Sequence, residues 1–585
     1  MYQLLALSPL LALVVTGCVA LSPTTASSVD TPAPAGARAV SQDESAEAYY
    51  HFAVAHMQAQ AGRTREAIEE IRKAIRRDPR AVLLWRQLSQ WLHKVDEGEE
   101  ALAAASRAVE LSPDGAESRL ALAELLQGQK RFAEAEAELE RLIALYPKAP
   151  EAYVTLARYL HEQKALDRAR AVLLRLVSEL PSLAQGHFLL GRVALEQEQW
   201  SEAESRLRQA ITLDPGNDGA WAALGYMFET RHQPEKAVEV YREALRLQGD
   251  DGAFAERLGD LLIRLGRFGE AQAEIERLAA AGPRDPRVYM KLGAVYYEQK
   301  LWDKAAEAFN QVLALDPSNV RARYFLATTY MDAGKDADAR QELERVLRAD
   351  PKSIDARVQL GFLHSRAKRF DDAVAAFTEA ANLEPKRPEL FLYLGTSLYR
   401  AQQYDRALAV VREGLSLDGQ NKDLLFQLGV ILEKKAQFDE AIQVFRDVIR
   451  LDPKHAEAYN YAGYMYAEKG VNLDEAVALI GKALELEPDN GYFIDSLGWA
   501  LYQQGRYGDA LRELKRAVER AKEDPVIFDH LGDAYLKNGL EDEAIQAWEK
   551  SLSLDPAASE VRKKLERSRE RERVKSDSTS ASQSR

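Results

Sequence analysis

Metal binding and nucleophilic catalysis leave the clearest marks in a sequence, and histidine is the first residue to check. His51, His56, His93, His161, His187, His232, His364, His455 and His530 are scattered along the chain with no H-E-x-x-H or comparable pair, so no metal site is expected. No G-x-S-x-G elbow, P-loop or dinucleotide fingerprint is present, and the 92 acidic residues follow the helical period, as solvated faces do. These residues point to a chain that catalyses nothing and needs no cofactor. Cys18 is the only cysteine, so no internal disulfide can form. A net charge of -14 argues against nucleic acid as a partner, because counterion release needs clustered Lys and Arg.

Large apolar and aromatic groups of the later part of the chain are the remaining candidates. They are Met290, Tyr297, Tyr324, Met331, Phe362, Leu392, Tyr399, Phe426, Tyr464, Tyr492, Trp499 and Tyr502. Tyr and Trp give a protein-binding surface contact area and a hydrogen-bonding tip at low entropic cost.

The elements that position them follow from one period. At 585 residues the chain exceeds what one core fills, and a 34-residue repeat holds without a slip from Ala48 to His455. Three further units reach Ala558, the first of them with one extra residue near Val471, which makes fifteen. The twentieth site of each unit is always Ala, from Ala67 to Ala544, and the eighth is always small, Gly in ten units. Small residues on facing helices allow close backbone approach, so each unit reads as an antiparallel helical hairpin. The seventh site is Leu in thirteen units and the thirty-second is Pro in twelve, where it stops the second helix.

This pattern resembles the tetratricopeptide repeat family, and the resemblance covers about 48–558. It implies an all-α, right-handed superhelical solenoid whose first helices line the concave side through sites 2, 5, 9 and 12. In early units those sites are polar, as at Arg86, Gln90, His93, Glu124, Arg158, His161 and Arg192; from the eighth unit they become the apolar and aromatic set above. The expectation is a hydrophobic groove from about 290 to 502 that holds a peptide segment. The family's Lys and Asn clamp for a terminal carboxylate is not matched, since Arg86 and Gln90 do not supply it and Asn460 stands alone.

At the ends, residues 1–18 are an apolar leader whose Val15-Thr16-Gly17-Cys18 resembles the bacterial lipobox. That implies acylation of Cys18, with Val19 in place of an inner-membrane Asp signal implying the outer membrane. Residues 19–47, rich in Ser, Thr, Pro and Ala, are expected to form a disordered tether. A charged capping helix over 559–574 and a disordered tail over 575–585 complete the organisation.

The whole is similar to bacterial outer-membrane tetratricopeptide repeat lipoproteins, one type of which is an adaptor that presents substrates to a periplasmic carboxyl-terminal processing protease. The resemblance implies a scaffold on the periplasmic face of the outer membrane, held by its lipid, with a protease and its substrates as protein partners. The other role it implies is a structural part of an export, polysaccharide secretion or pilus assembly machine.

Overall fold

Amphipathic segments of 13–14 residues, each broken by a turn, give 31 helices and no strand among the described residues. The structure is a computed structural model and describes residues 42–249, 252–281 and 284–583. Numbered α1–α31 along the chain, the helices form fourteen odd–even hairpins, and α31 (Ser559–Gln583) follows the last of them. The chain forms two compact units, 1–299 and 300–585; α15 (Pro286–Glu298) is the last helix of the first and α16 (Trp302–Leu315) the first of the second.

Inside each hairpin the repeated residues do what their sizes require, with one difference. All fifteen Ala at the twentieth site are buried, as expected. The glycine at the eighth site, however, is covered by the large side chain at the twenty-fourth. A Cβ on Gly225 would stand 2.3 Å from Tyr241 Cε1, one on Gly429 2.6 Å from Phe445, and one on Gly498 2.6 Å from Leu514. The small residue therefore makes room for a buried ring or branch more than for the opposing backbone. The thirty-second-site proline follows the second helix in twelve units, and the residue before it leaves the helical region, as at Asp78 with φ -130° and ψ 85°; Asp418 before Gly419 and Ala521 before Lys522 take the same shape without it. The proline carbonyl is then used. Trp85 Nε1 donates to Pro79 O at 2.9 Å, Tyr153 OH to Pro147 O at 3.1 Å, and Trp221 Nε1 to Pro215 O at 3.0 Å.

Both ends depart from expectation. Helix α1 (Gln42–Gln60) begins inside the segment expected to be a tether, because Asp43 and Glu44 in its first turn complement the helix dipole. At the other end α31 continues past Lys575 into the expected tail, where no Gly or Pro stops it. The leader, Cys18 and residues 19–41 lie outside the described residues. Among the described residues no helix is long and apolar enough to cross a membrane.

Two faces close the ends differently. Val561, Leu565 and Ser568 of α31 are buried, the first two packing over Ala544 and Trp548 of the last hairpin. On α1, Tyr50 and Met57 occupy the third and tenth sites and are 64% and 68% exposed. Their counterparts Leu84 and Trp91 in the second hairpin are buried.

Candidate functional site

Successive first helices approach one another more closely than successive second helices do, and so form the inner side of each stack. In the first unit α3 (Val82–Lys94) meets α5 (Ala116–Gly128), and α9 (Ala184–Glu196) meets α11 (Asp218–Thr230). In the second unit α17 (Val320–Asp332) meets α19 (Ile354–Arg366), and α21 (Pro388–Arg400) meets α23 (Lys422–Lys434). There α27 (Gly491–Gln503) likewise touches both α25 (Ala456–Lys469) and α29 (Pro525–Lys537).

On the inner side of the first unit polar residues pair from one hairpin to the next. Arg86 bonds Glu117, Gln127 bonds Glu162 at 3.0 Å, and His161 bonds Glu196 at 2.7 Å. Lys291 on α15 (Pro286–Glu298) reaches Glu256 at 2.8 Å and Asp260 at 2.7 Å. These charges are satisfied internally and partly exposed, so they contribute little to stability. Met290 and Tyr297 lie on the same helix, half-buried, in the first unit.

The other ten predicted groove residues belong to the second unit. Tyr324 and Met331 lie on α17, Phe362 on α19, Leu392 and Tyr399 on α21, Phe426 on α23, Tyr464 on α25, and Tyr492, Trp499 and Tyr502 on α27. None is fully buried, but they differ in how much surface they offer. Tyr492 is 59% and Phe362 38% exposed. Phe426 is committed to its neighbours, with His455 at 4.7 Å and Phe445 and Tyr461 at 5.6 Å between ring centroids. Trp499 stacks on Tyr502 at 5.0 Å and on His530 at 4.2 Å, and its Nε1 donates to Glu468 at 3.1 Å. The ring stack therefore also serves the fold.

Sequence reasoning missed the sixth site, whose side chain reaches back to the preceding hairpin. His530 occupies it in the last unit and bonds Asp495 through Nδ1 at 2.9 Å, both residues being buried. Burial disfavours the charged imidazole, but Asp495, with Asp529 and Asp533 beyond it, outweighs this and raises its pKa. Lys564 of α31 is held between Asp529, at 2.8 Å, and Asp533, at 2.7 Å. Gln427 is a third case. Its Oε1 accepts from Thr396 Oγ1 at 3.3 Å, while its Nε2 is buried without a partner. Asn460 Oδ1, at a fifth site, is buried and unpartnered as well. A scan of the sixth site for polar residues would have found Lys291, Gln427 and His530.

Profiles of the tetratricopeptide repeat match residues 52–116, 120–184, 188–252, 256–320, 359–422 and 496–559, and a second form matches 296–360 and 398–463. The chain belongs to the tetratricopeptide repeat family. Within it, 81 residues are 41% identical to a tetratricopeptide repeat-containing protein of Pseudomonas aeruginosa, covering 14% of this chain and 14% of that protein. The type IV pilus assembly protein PilF of the same organism is 32% identical over 114 residues, 19% of this chain and 44% of PilF. The chain thus spans less than half the length of either relative. Among solved structures, the APC/C hetero-tetramer Cut9–Hcn1 aligns over 83% of this chain and 96% of that one, at 14% identity and a TM-score of 0.37. Tetratricopeptide repeat proteins bind protein partners. No group of three or more His, Cys, Asp or Glu residues able to hold a metal occurs among the described residues.

Proposed function

We propose that this array is a non-catalytic adaptor whose second unit holds a segment of a partner protein along its first helices, and that Cys18 carries a lipid anchoring it to the periplasmic face of a bacterial outer membrane. One observation carries the peptide reading: the first helices of the second unit, which meet one another along its inner side, keep large rings open there, Tyr492 59% and Phe362 38% exposed. Such rings offer a bound segment apolar contact area at low entropic cost. In this reading the partners are a periplasmic protease and its substrates, held together so that their effective concentration rises. The alternative, a structural part of a pilus assembly machine, is favoured by the partial likeness to PilF.

The test is Phe362→Ser with Tyr492→Ser. Both rings are exposed, so helicity by circular dichroism should be unchanged while capture of the partner from solubilised envelope falls. Capture undiminished by the pair would overturn the groove. A soluble protease among the captured proteins supports the adaptor, and an integral barrel the assembly role. Loss of membrane fractionation in Cys18→Ser is expected if the anchor is the acylated cysteine.

A further inference from the structure

The inner sites of the second unit change character along the chain. The fifth sites run Leu392, Phe426, Asn460, Asp495, Asp529, and the ninth sites end in Tyr464, Trp499, Asp533. Apolar groups thus give way to rings set among acids. The phenol of Tyr464 is held above its usual range by burial and then by Glu468, Asp495 and Glu433. Tyr502 is pushed up to about 12, by burial first and then by Asp533, Tyr507 and Asp529. Around these two rings stand five carboxylates, Glu433, Glu468, Asp495, Asp529 and Asp533. The cations that answer them are Lys434, 3.4 Å from Glu433, Lys564, and His530 when protonated.

The wider field has the same sign. Residues 456–558 contain twenty Asp or Glu and ten Lys or Arg, so a cation approaching this end is attracted from beyond contact range. The chain also shows what these acids accept, because its own basic helix α31 is seated on the last hairpin with the Lys564 ammonium between two inner carboxylates. Lys291 repeats the arrangement between Glu256 and Asp260 in the first unit.

Resting on the peptide-groove reading above, we infer that the bound partner segment is basic at one end: apolar side chains lie along α21 and beside Phe426 of α23, and lysines or arginines lie beside Glu433 at the end of α23 and Glu468 of α25. Partner choice is then electrostatic at the acidic end and hydrophobic at the other, and the gradient fixes the direction in which the segment runs.

Three fluorescein-labelled peptides test this against the full chain by anisotropy. They share an Ala-Leu-Ala-Val-Leu stretch followed by four lysines, four glutamines or four glutamates. The lysine peptide should bind about tenfold more tightly than the glutamine peptide at low salt, the glutamate peptide should bind more weakly than either, and the lysine advantage should shrink in high salt. In Glu433→Gln with Glu468→Gln the ratio of lysine-peptide to glutamine-peptide affinity should fall below about threefold. Equal binding of the lysine and glutamine peptides would overturn the charge preference and leave the groove standing. A lysine advantage undiminished in the double variant would place the cations elsewhere and overturn the assignment. Failure of all three to bind would sink the groove reading along with it.

Discussion

A single methyl group measures how tightly the hairpins are closed. Gly225→Ala would drive a Cβ into the buried Tyr241 ring, whose hydroxyl donates to Glu229 at 2.7 Å. The ring cannot swing away without breaking that bond, so a loss of about 1–3 kcal/mol is expected in urea denaturation. Ala436→Gly should act in the opposite sense. Ala436 sits at φ 56° in its hairpin turn, a region that costs a residue with a Cβ about 1–2 kcal/mol. Glycine relieves that strain but adds roughly 0.5–1 kcal/mol of unfolded-state entropy, leaving a net gain of a few tenths to about 1 kcal/mol. A lower denaturation midpoint for Ala436→Gly would refute this balance. The spacing of small residues made the hairpin legible, but not the partner of the eighth site. That pairing was hidden because Tyr241, Val411, Phe445 and Trp548 share only apolarity and burial. The donors to the proline carbonyls escaped notice similarly, since Trp85, Tyr153 and His187 have in common only a polar hydrogen.

At the scale of elements, α27 and α29 are joined by a buried titratable pair. Because the folded-state pKa of His530 lies above its ordinary value of 6.5, the pair's stabilisation is fully present below that value. It is lost as pH rises through the folded value, where the imidazole deprotonates in both folded and unfolded chains. The urea midpoint of the C-terminal hairpins, followed by tryptophan fluorescence, should therefore fall between pH 6 and pH 9, and the fall should shrink in His530→Gln. A midpoint that rises with pH by the same amount in both proteins would exclude this linkage. Element boundaries were legible wherever proline or glycine marks them, including the extra residue after α25, where Gly470 and Asn472 both take positive φ. They were not legible at α1 and the end of α31, where composition alone argued for disorder and a helix already begun had nothing to stop it.

For the whole molecule, stability is a sum over neighbours. Within each unit a hairpin touches only those beside it, so no single core enforces all-or-none unfolding. Circular dichroism and tryptophan fluorescence are expected to give urea transitions that do not coincide, with the polar-lined and aromatic-lined units melting apart. Superimposable transitions with one steep slope would contradict this. The family and the number of repeats could be read from the period alone. The inner side chains could be read only in part, because the helical period identifies which of them face inward but not which, such as Phe426 and Trp499, are already occupied by neighbouring rings.

The unequal ends give the array a direction of growth. With Trp548 roofed by α31 while Tyr50 and Met57 stand bare, a duplicated hairpin spliced ahead of Ala48 would find a docking surface waiting. The same insertion after Ala558 would first have to evict its roof. Gene duplication can therefore extend this protein from its beginning far more readily than from its end.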